Sequence, residues 1–237
     1  VKGTLNMLLR VYLIRHGETA WSLSGQHTGR TDIVLTERGE QEAHELGEQL
    51  RTVRFNLVLT SPLQRARRTC DLSGLGSVAE VDPDLQEWDY GEYEGATSTD
   101  IRVAQPNWNL FRDGCPRGEA PPEVSERADR VIARIRSCEG SIAVFSHGHF
   151  GRVLAARWIG LPLIQAQRLL LNTGSISILG FEHNRAEEPA IILWNAGPNE
   201  LFGCMSDQRV ADKGAMARKR AIQRWENEGG KILKTKR

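Results

Sequence analysis

Four short stretches of the 237-residue chain carry the side chains best suited to chemistry. The first is Arg15-His16-Gly17-Glu18-Thr19. The second is Arg65, which follows Ser61-Pro62 at the expected start of a helix. The third is Glu87, within Leu85-Gln86-Glu87-Trp88-Asp89-Tyr90-Gly91. The fourth is Ser146-His147-Gly148-His149. A histidine followed by glycine can hold its imidazole at the floor of a crevice with the backbone close by. The adjacent arginine adds a permanent, planar cation whose fork suits phosphate oxygens. A lone Arg-His-Gly reads equally well as a structural histidine. The other three pieces, arriving in order along the chain, shift the reading toward phosphate chemistry.

These residues need elements to position them. Arg10 to Ile14, with a continuous β-prone run from Val11, predicts a buried strand directly before Arg15-His16. Leu57 to Leu59 predicts a second strand, running into Thr60-Ser61-Pro62, and Pro62 suits the first turn of a helix through Leu72. Ser141 to Phe145 predicts a third, running into Ser146-His147-Gly148 and a helix through Trp158. Thr36 caps a predicted helix to Leu50, with Ala43, Leu46 and Leu50 on one face. Pro121 and Pro122 open another, in which Val124, Ala128, Val131, Ile132 and Ile135 recur at helical spacing. Ser175 to Phe181 and Ala190 to Asn195 read as two more strands. This alternation predicts an α/β fold: a three-layer sandwich with a mostly parallel central sheet flanked by helices. Ligands of such sheets sit beyond the carboxyl ends of the strands, where the His-Gly pairs stand. Asp82 to Pro122 is rich in Gly, Pro, Trp and acids with weak periodicity. It reads as a long excursion over the sheet's end that could serve as a substrate lid.

Taken together, the four stretches resemble the histidine phosphatase superfamily, the phosphoglycerate-mutase-like family, over roughly residues 9–201. The resemblance implies His16 as nucleophile, Arg15, Arg65 and His147 as the phosphate pocket, and Glu87 as the acid/base carboxylate. The physics agrees. A phosphoryl group in transit spreads charge over its equatorial oxygens and needs positioned cations and donors. Arg67 and Arg68 read as solvated helix charges. His149 reads as packing or solvent-facing, and His27, His44 and His183 read as surface residues. Trp88 and Tyr90 could stack on a substrate or pack the excursion.

Family mutases carry a basic residue directly after the acid/base Glu, and a Leu-Asn-Lys-like stretch after the next Tyr-Gly. Here Trp88 stands in the first place, and Ala96-Thr97-Ser98 follows Gly95 in the second. Positive charge is therefore missing from the far side of the pocket, and hydrolysis is favoured over transfer. Ser24 to Asp32, Glu87 to Gly95 and Arg112 to Pro116 look most like the sugar-bisphosphatase branch related to the fungal sedoheptulose-1,7-bisphosphatase. The implied substrate is a small phosphorylated metabolite, a sugar phosphate above all. Many family members place Asn six residues after the nucleophile, against the phosphoryl group. This chain has Ser22, whose hydroxyl donates but reaches less far. Thr28, Gly29 and Arg30 could touch the departing portion of the substrate. Mutase-type transfer and a binding or regulatory role stay open as alternatives.

The formal net charge of +1 conceals an uneven chain. Residues 205–237 hold ten basic and four acidic side chains, a net +6, which leaves −5 for residues 1–204. The expected organisation is thus a catalytic domain over 1–204 and a basic, helical extension over 205–237. The near-neutral total argues against a dedicated nucleic-acid binder. Only the basic extension could meet nucleic acid or an acidic partner. No apolar run approaches the ~18 residues of a membrane span. Four scattered cysteines suit free thiols in a reducing cytoplasm, the expected location, and offer no zinc-like spacing. No metal and no cofactor is expected. Oligomeric state is not readable from the residues, although the family resemblance allows a dimer.

Overall fold

A computed structural model describes residues 9–197. Cys204 and the basic extension expected over 205–237 lie outside the described residues. The chain runs β1 (Arg10–Arg15), α1 (Ala20–Ser24), α2 (Glu37–Leu50), β2 (Phe55–Thr60), α3 (Gln64–Leu72), β3 (Ala79–Val81), α4 (Ser98–Ala104), α5 (Leu110–Asp113), α6 (Pro121–Arg136), β4 (Ser141–Ser146), α7 (Gly148–Trp158), β5 (Ile176–Phe181) and β6 (Pro189–Ala196). The six strands form one sheet in the order β3-β2-β4-β1-β5-β6. β3, β2, β4 and β1 pair in parallel, while β5 is antiparallel to both β1 and β6. This is the expected α/β architecture with a mostly parallel sheet.

The continuous apolar runs of β1 and β4 follow from burial on both faces. The pleat sends Val11, Leu13, Ile142 and Val144 to one face. There they join Val124, Ala128, Val131 and Ile135 of α6 and Val153 and Leu154 of α7 in a single core cluster. Tyr12, Ile14 and Phe145 are buried outside that cluster, on the opposite face. On α2, Thr36 caps through its side chain to Gly39 N, and Ala43, Leu46 and Leu50 are buried as the pattern implies. The prolines of α6 occupy its first positions.

Three details differ from the sequence reading. Pro62 precedes α3 rather than entering it, because Leu63 is extended (φ −70°, ψ 134°) and the helix starts at Gln64. Strand β3, three residues long with an exposed Glu80, was not anticipated; it is too short and too polar to show a period. Residues 82–122 are also more than an excursion. They contain α4 and α5 and bury Trp88, Tyr90, Trp108 and Phe111 in or beside the core. Among the described residues, no helix is long and apolar enough to cross a membrane.

Candidate active site

Parallel register builds the centre of the site. β1 and β4 pair with Arg15 opposite Ser146, so the next residues, His16 and His147, leave the sheet side by side. His16 N donates to Ser146 O at 3.0 Å, and the two imidazole rings lie 5.2 Å apart with a 59° tilt. On the other flank of β4, Thr60 pairs with Phe145, and Ser61 N donates to Phe145 O at 3.0 Å. That brings the Ser61 hydroxyl to 2.7 Å from His147 Nε2. Three adjacent strand ends thus deliver His16, His147 and Ser61 as a row.

Gly17 permits the tight exit from β1. A Cβ there would lie 2.2 Å from the carbonyl oxygen of Gly39, and one on Gly39 would meet the Glu18 carbonyl at the same distance. Only two glycines let this loop press against the first turn of α2. Gly17 N also donates to Thr69 Oγ1 of α3 at 3.0 Å, so the neighbour of His16 is tied to the helix that carries Arg65.

The hydrogen bonds select the tautomers. His16 Nδ1 lies 2.7 Å from the Gly17 carbonyl, which only accepts, so Nδ1 carries the proton and Nε2 keeps its lone pair. Ser61 Oγ accepts from Leu63 N at 3.3 Å, which directs its own hydrogen to His147 Nε2. His147 then presents Nδ1–H as a donor. Burial, then Arg65 and Arg15, hold His16 well below the usual histidine range, so the ring is neutral near pH 7. Burial, then Arg65, does the same to His147.

Arg65 is fully buried, and its guanidinium donates to the carbonyls of Thr31, Thr28 and Gly29 at 2.9–3.0 Å. Arg15 donates to Leu171 O. Among the described residues, the buried side-chain donors without a protein partner are Arg15 Nε, Arg65 Nε and His147 Nδ1. Buried donors are normally satisfied. That all three belong to the expected phosphate pocket is the signature of an anion-binding centre.

Glu87 is buried and uses both oxygens. Oε1 accepts from Trp88 N at 2.8 Å and Phe150 N at 2.7 Å, and Oε2 accepts from His149 N at 2.9 Å. His149 and Phe150 stand in the first turn of α7, whose side chain at the cap position, His147, makes no capping bond. Glu87 therefore satisfies N–H groups that helix geometry leaves orphaned. One lone-pair site on Oε2 stays uncommitted.

A cavity of about 230 Å³ opens over this centre. Its walls include Arg15, His16, Ser22, His27, Thr28, Glu87, Tyr90, Ser98, His149 and Arg152. Arg65 and His147 are not on the wall; they are buried beside His16. The volume is below the ~300–1,000 Å³ of drug-sized clefts and suits a small metabolite.

Of the residues expected to bind substrate, Thr28, Tyr90 and Ser22 line the cavity. Ser22 has a prior commitment, since its hydroxyl donates to Thr19 O at 2.9 Å and accepts from Thr19 N at 2.8 Å as part of the α1 cap. Gly29 is off the wall, and its carbonyl anchors Arg65 instead. Two expectations are corrected. Trp88 is 0% exposed, donates from Nε1 to Glu119 O at 2.9 Å and packs edge-on against Phe111. Its bulk belongs to the core, so it cannot stack on a substrate. Arg30 is 77% exposed and pairs with Asp89 at 2.8 Å, in a separate polar groove.

Three residues that the sequence left aside do line the cavity. His27 is no surface residue: it is 7% exposed, stacked 4.6 Å from Tyr90, with Nε2 3.2 Å from Ser98 Oγ. His149 Nδ1 lies 2.6 Å from the Tyr90 hydroxyl. Arg152 donates to Ala166 O and Gln167 O, sits over Phe111 and returns a cation to a wall expected to lack one. His149 and Arg152 stand three apart on α7, a spacing that shares one helix face and could have flagged both. His27 had no comparable signal. Arg67 is exposed and Arg68 pairs with Glu40, as expected of solvated charges.

Burial pushes the His27 pKa down to about 4. An unfolded histidine titrates near ~6.5. Between these values the unfolded chain takes a proton that the folded chain refuses, so stability falls as pH falls through that window. The limiting slope is about 1.4 kcal/mol per pH unit for each such histidine. Denaturant unfolding at pH 7 and pH 5 should show His27→Gln losing less stability over the interval than the parent protein. Equal losses would contradict the buried, neutral His27.

Residues 11–196 match the family model described as histidine phosphatase superfamily (branch 1). An acid phosphatase of Mycobacterium tuberculosis is 43% identical over 178 residues, covering 73% of this chain and 87% of its own. The sedoheptulose 1,7-bisphosphatase of Saccharomyces cerevisiae is 34% identical over 254 residues, covering 80% and 93%. Relatives that bear phosphoglycerate mutase names are 33–34% identical. The solved structure of an open reading frame product of Mycobacterium tuberculosis superposes with a TM-score of 0.75 at 39% identity, covering 80% of this chain and 98% of that one.

Proposed function

The chain belongs to branch 1 of the histidine phosphatase superfamily and is a phosphatase, and from that premise we propose a phosphomonoesterase that works through a phosphohistidine at His16 on a small, hydroxylated metabolite such as a sugar phosphate. The observation that carries the reading is the combination of a free lone pair on His16 Nε2 with three unpartnered buried donors on Arg15, Arg65 and His147.

Nε2 attacks phosphorus in line, forming the P–N bond as the P–O bond to the leaving group breaks. Arg15, Arg65 and His147 Nδ1–H meet the charge on the equatorial oxygens. These fixed cations and donors supply the charge stabilisation, so no step calls on a metal. Glu87 holds its proton on the uncommitted site of Oε2 and passes it to the departing alkoxide oxygen. Water then attacks the phosphohistidine. Glu87 takes the water's proton, the P–N bond breaks, and phosphate leaves with His16 and Glu87 restored.

The leaving portion meets His27, Thr28, Ser98, His149 and Arg152. Neutral imidazoles and hydroxyls suit a polyol, and the likeness to the yeast sedoheptulose 1,7-bisphosphatase supports a sugar phosphate. The test is phosphate release from a panel of sugar mono- and bisphosphates, 3-phosphoglycerate and p-nitrophenyl phosphate. The expected result is hydrolysis with sugar phosphates preferred by kcat/KM. Rapid interconversion of phosphoglycerates without phosphate release would move the reading to a mutase.

A further inference from the structure

Arg127, on the second turn of α6, lies outside the active-site cavity, yet its contacts converge on Glu87. Its Nε and Nη2 donate to the two carboxylate oxygens of Glu119 at 2.8 and 2.6 Å. Its Nη1 donates to the carbonyls of Asp84 and Gln86 at 2.8 and 2.6 Å, and Nη2 also donates to the carbonyl of Glu87 at 3.3 Å. All five N–H groups of the guanidinium are used. Glu119 grips the far side of the same segment: Oε2 accepts from Asp89 N at 3.0 Å, and its backbone carbonyl accepts from Trp88 Nε1. The guanidinium carbon also sits 4.4 Å from the centre of the Phe150 ring, and Phe150 N donates to Glu87 Oε1. One ion pair, its arginine buried and its carboxylate half-buried, thus fixes the main chain before, at and after Glu87, and packs on the residue that binds the Glu87 carboxylate.

An ion pair with a buried arginine adds little stability by itself, because the desolvation cost of the guanidinium offsets its attraction. Here its geometry serves one residue. We propose that Arg127, held by Glu119, is a positioning residue that sets Glu87 Oε2 in register with the leaving-group oxygen. The inference rests on the reading of Glu87 as the proton donor. A lysine in its place could not span three carbonyls and a carboxylate.

The test exploits leaving-group basicity. An alkoxide such as glycerol needs a proton as it departs, whereas p-nitrophenolate hardly does. Rapid-quench measurements would follow phosphorylation of His16 by glycerol phosphate and by p-nitrophenyl phosphate. Misplacement of a catalytic group by about an ångström costs up to ~100-fold. Arg127→Met and Arg127→Lys should therefore lower the glycerol phosphate rate roughly 10- to 100-fold and the p-nitrophenyl phosphate rate less than about threefold. Glu87→Gln should show the same asymmetry, and Glu87→Gln/Arg127→Met should fall no further than Glu87→Gln alone. Should Arg127→Met fail to fold, Arg127→Lys and Glu119→Gln carry the same expectations. Equal slowing of both substrates by the Arg127 variants, no slowing, or full additivity with Glu87→Gln would overturn the positioning role. Loss of the asymmetry in Glu87→Gln itself would overturn the acid assignment, and the proposal with it.

Discussion

Replacing His16 with alanine is expected to cut phosphate release by on the order of 10⁴-fold or more, because the proposed mechanism routes every later step through the bond this residue forms. The loss should appear in kcat rather than KM. Arg15, Arg65 and His147 remain to bind the phosphoryl group, and the methyl group leaves room for it. The fold should survive, since His16 makes only one side-chain hydrogen bond, to the Gly17 carbonyl. Circular dichroism and thermal melting of the variant check this. A catalytically weak binding member would behave otherwise: its slow background release would be untouched by the change. Residual activity above about 1% of the parent would sink the covalent mechanism.

The second large effect belongs to Arg65. Arg65→Met keeps much of the side chain's apolar bulk but deletes a cation that is wholly buried beside His16. Arginines that meet transferring phosphoryl groups contribute about 10³- to 10⁵-fold. A loss of roughly 10³-fold is expected, shared between phosphohistidine formation and its hydrolysis, since both transition states carry the same equatorial charge. A second consequence is structural. The carbonyls of Thr28, Gly29 and Thr31 lose their donor, so the cavity wall at Thr28 should loosen. Arg65→Lys should recover only part of the rate, since an ammonium cannot reach three carbonyls and still offer a donor to phosphate. Kinetics of all three proteins on p-nitrophenyl phosphate, where Glu87 matters least, isolate the contribution. A loss below about tenfold in Arg65→Met would remove Arg65 from the pocket.

How much of this was legible beforehand depends on what kind of information positions each residue. His16 and His147 were readable because each ends a continuous apolar strand, and parallel pairing puts such ends in one row. Arg65 was readable from the Ser-Pro turn and the helix behind it. The cavity wall was not. It is assembled from residues near 27, 90, 98, 149 and 152, brought together by the packing of residues 82–122, a stretch without a period. His27 looked like surface because nothing local shows that Tyr90 and Trp108 will close over it. Trp88 and Arg30 erred in the opposite direction. An aromatic beside a catalytic carboxylate and an arginine beside the Thr-Gly turn both look like ligands, until one is seen filling the core and the other paired with Asp89. The Arg127–Glu119 clamp was invisible for the same reason as the wall, since its partners lie 8 to 43 residues away along the chain.

The overall charge also reads differently with the structure present. Residues 1–204 are acidic in sum, yet Arg15 lines the small cavity and Arg65 and His147 are buried beside His16 behind it. On the proposed reading, attraction for a phosphate comes from that local focus.

The central claim is a covalent phosphohistidine at His16. Its most direct test is to quench the protein during turnover of ³²P-labelled substrate and to assay the labelled protein for acid and base stability before mapping the modified peptide. The account predicts an acid-labile, base-stable adduct, confined to the peptide that contains His16 and absent from His16→Ala. An acid-stable label, a label on another residue, or a label that persists in His16→Ala would contradict it.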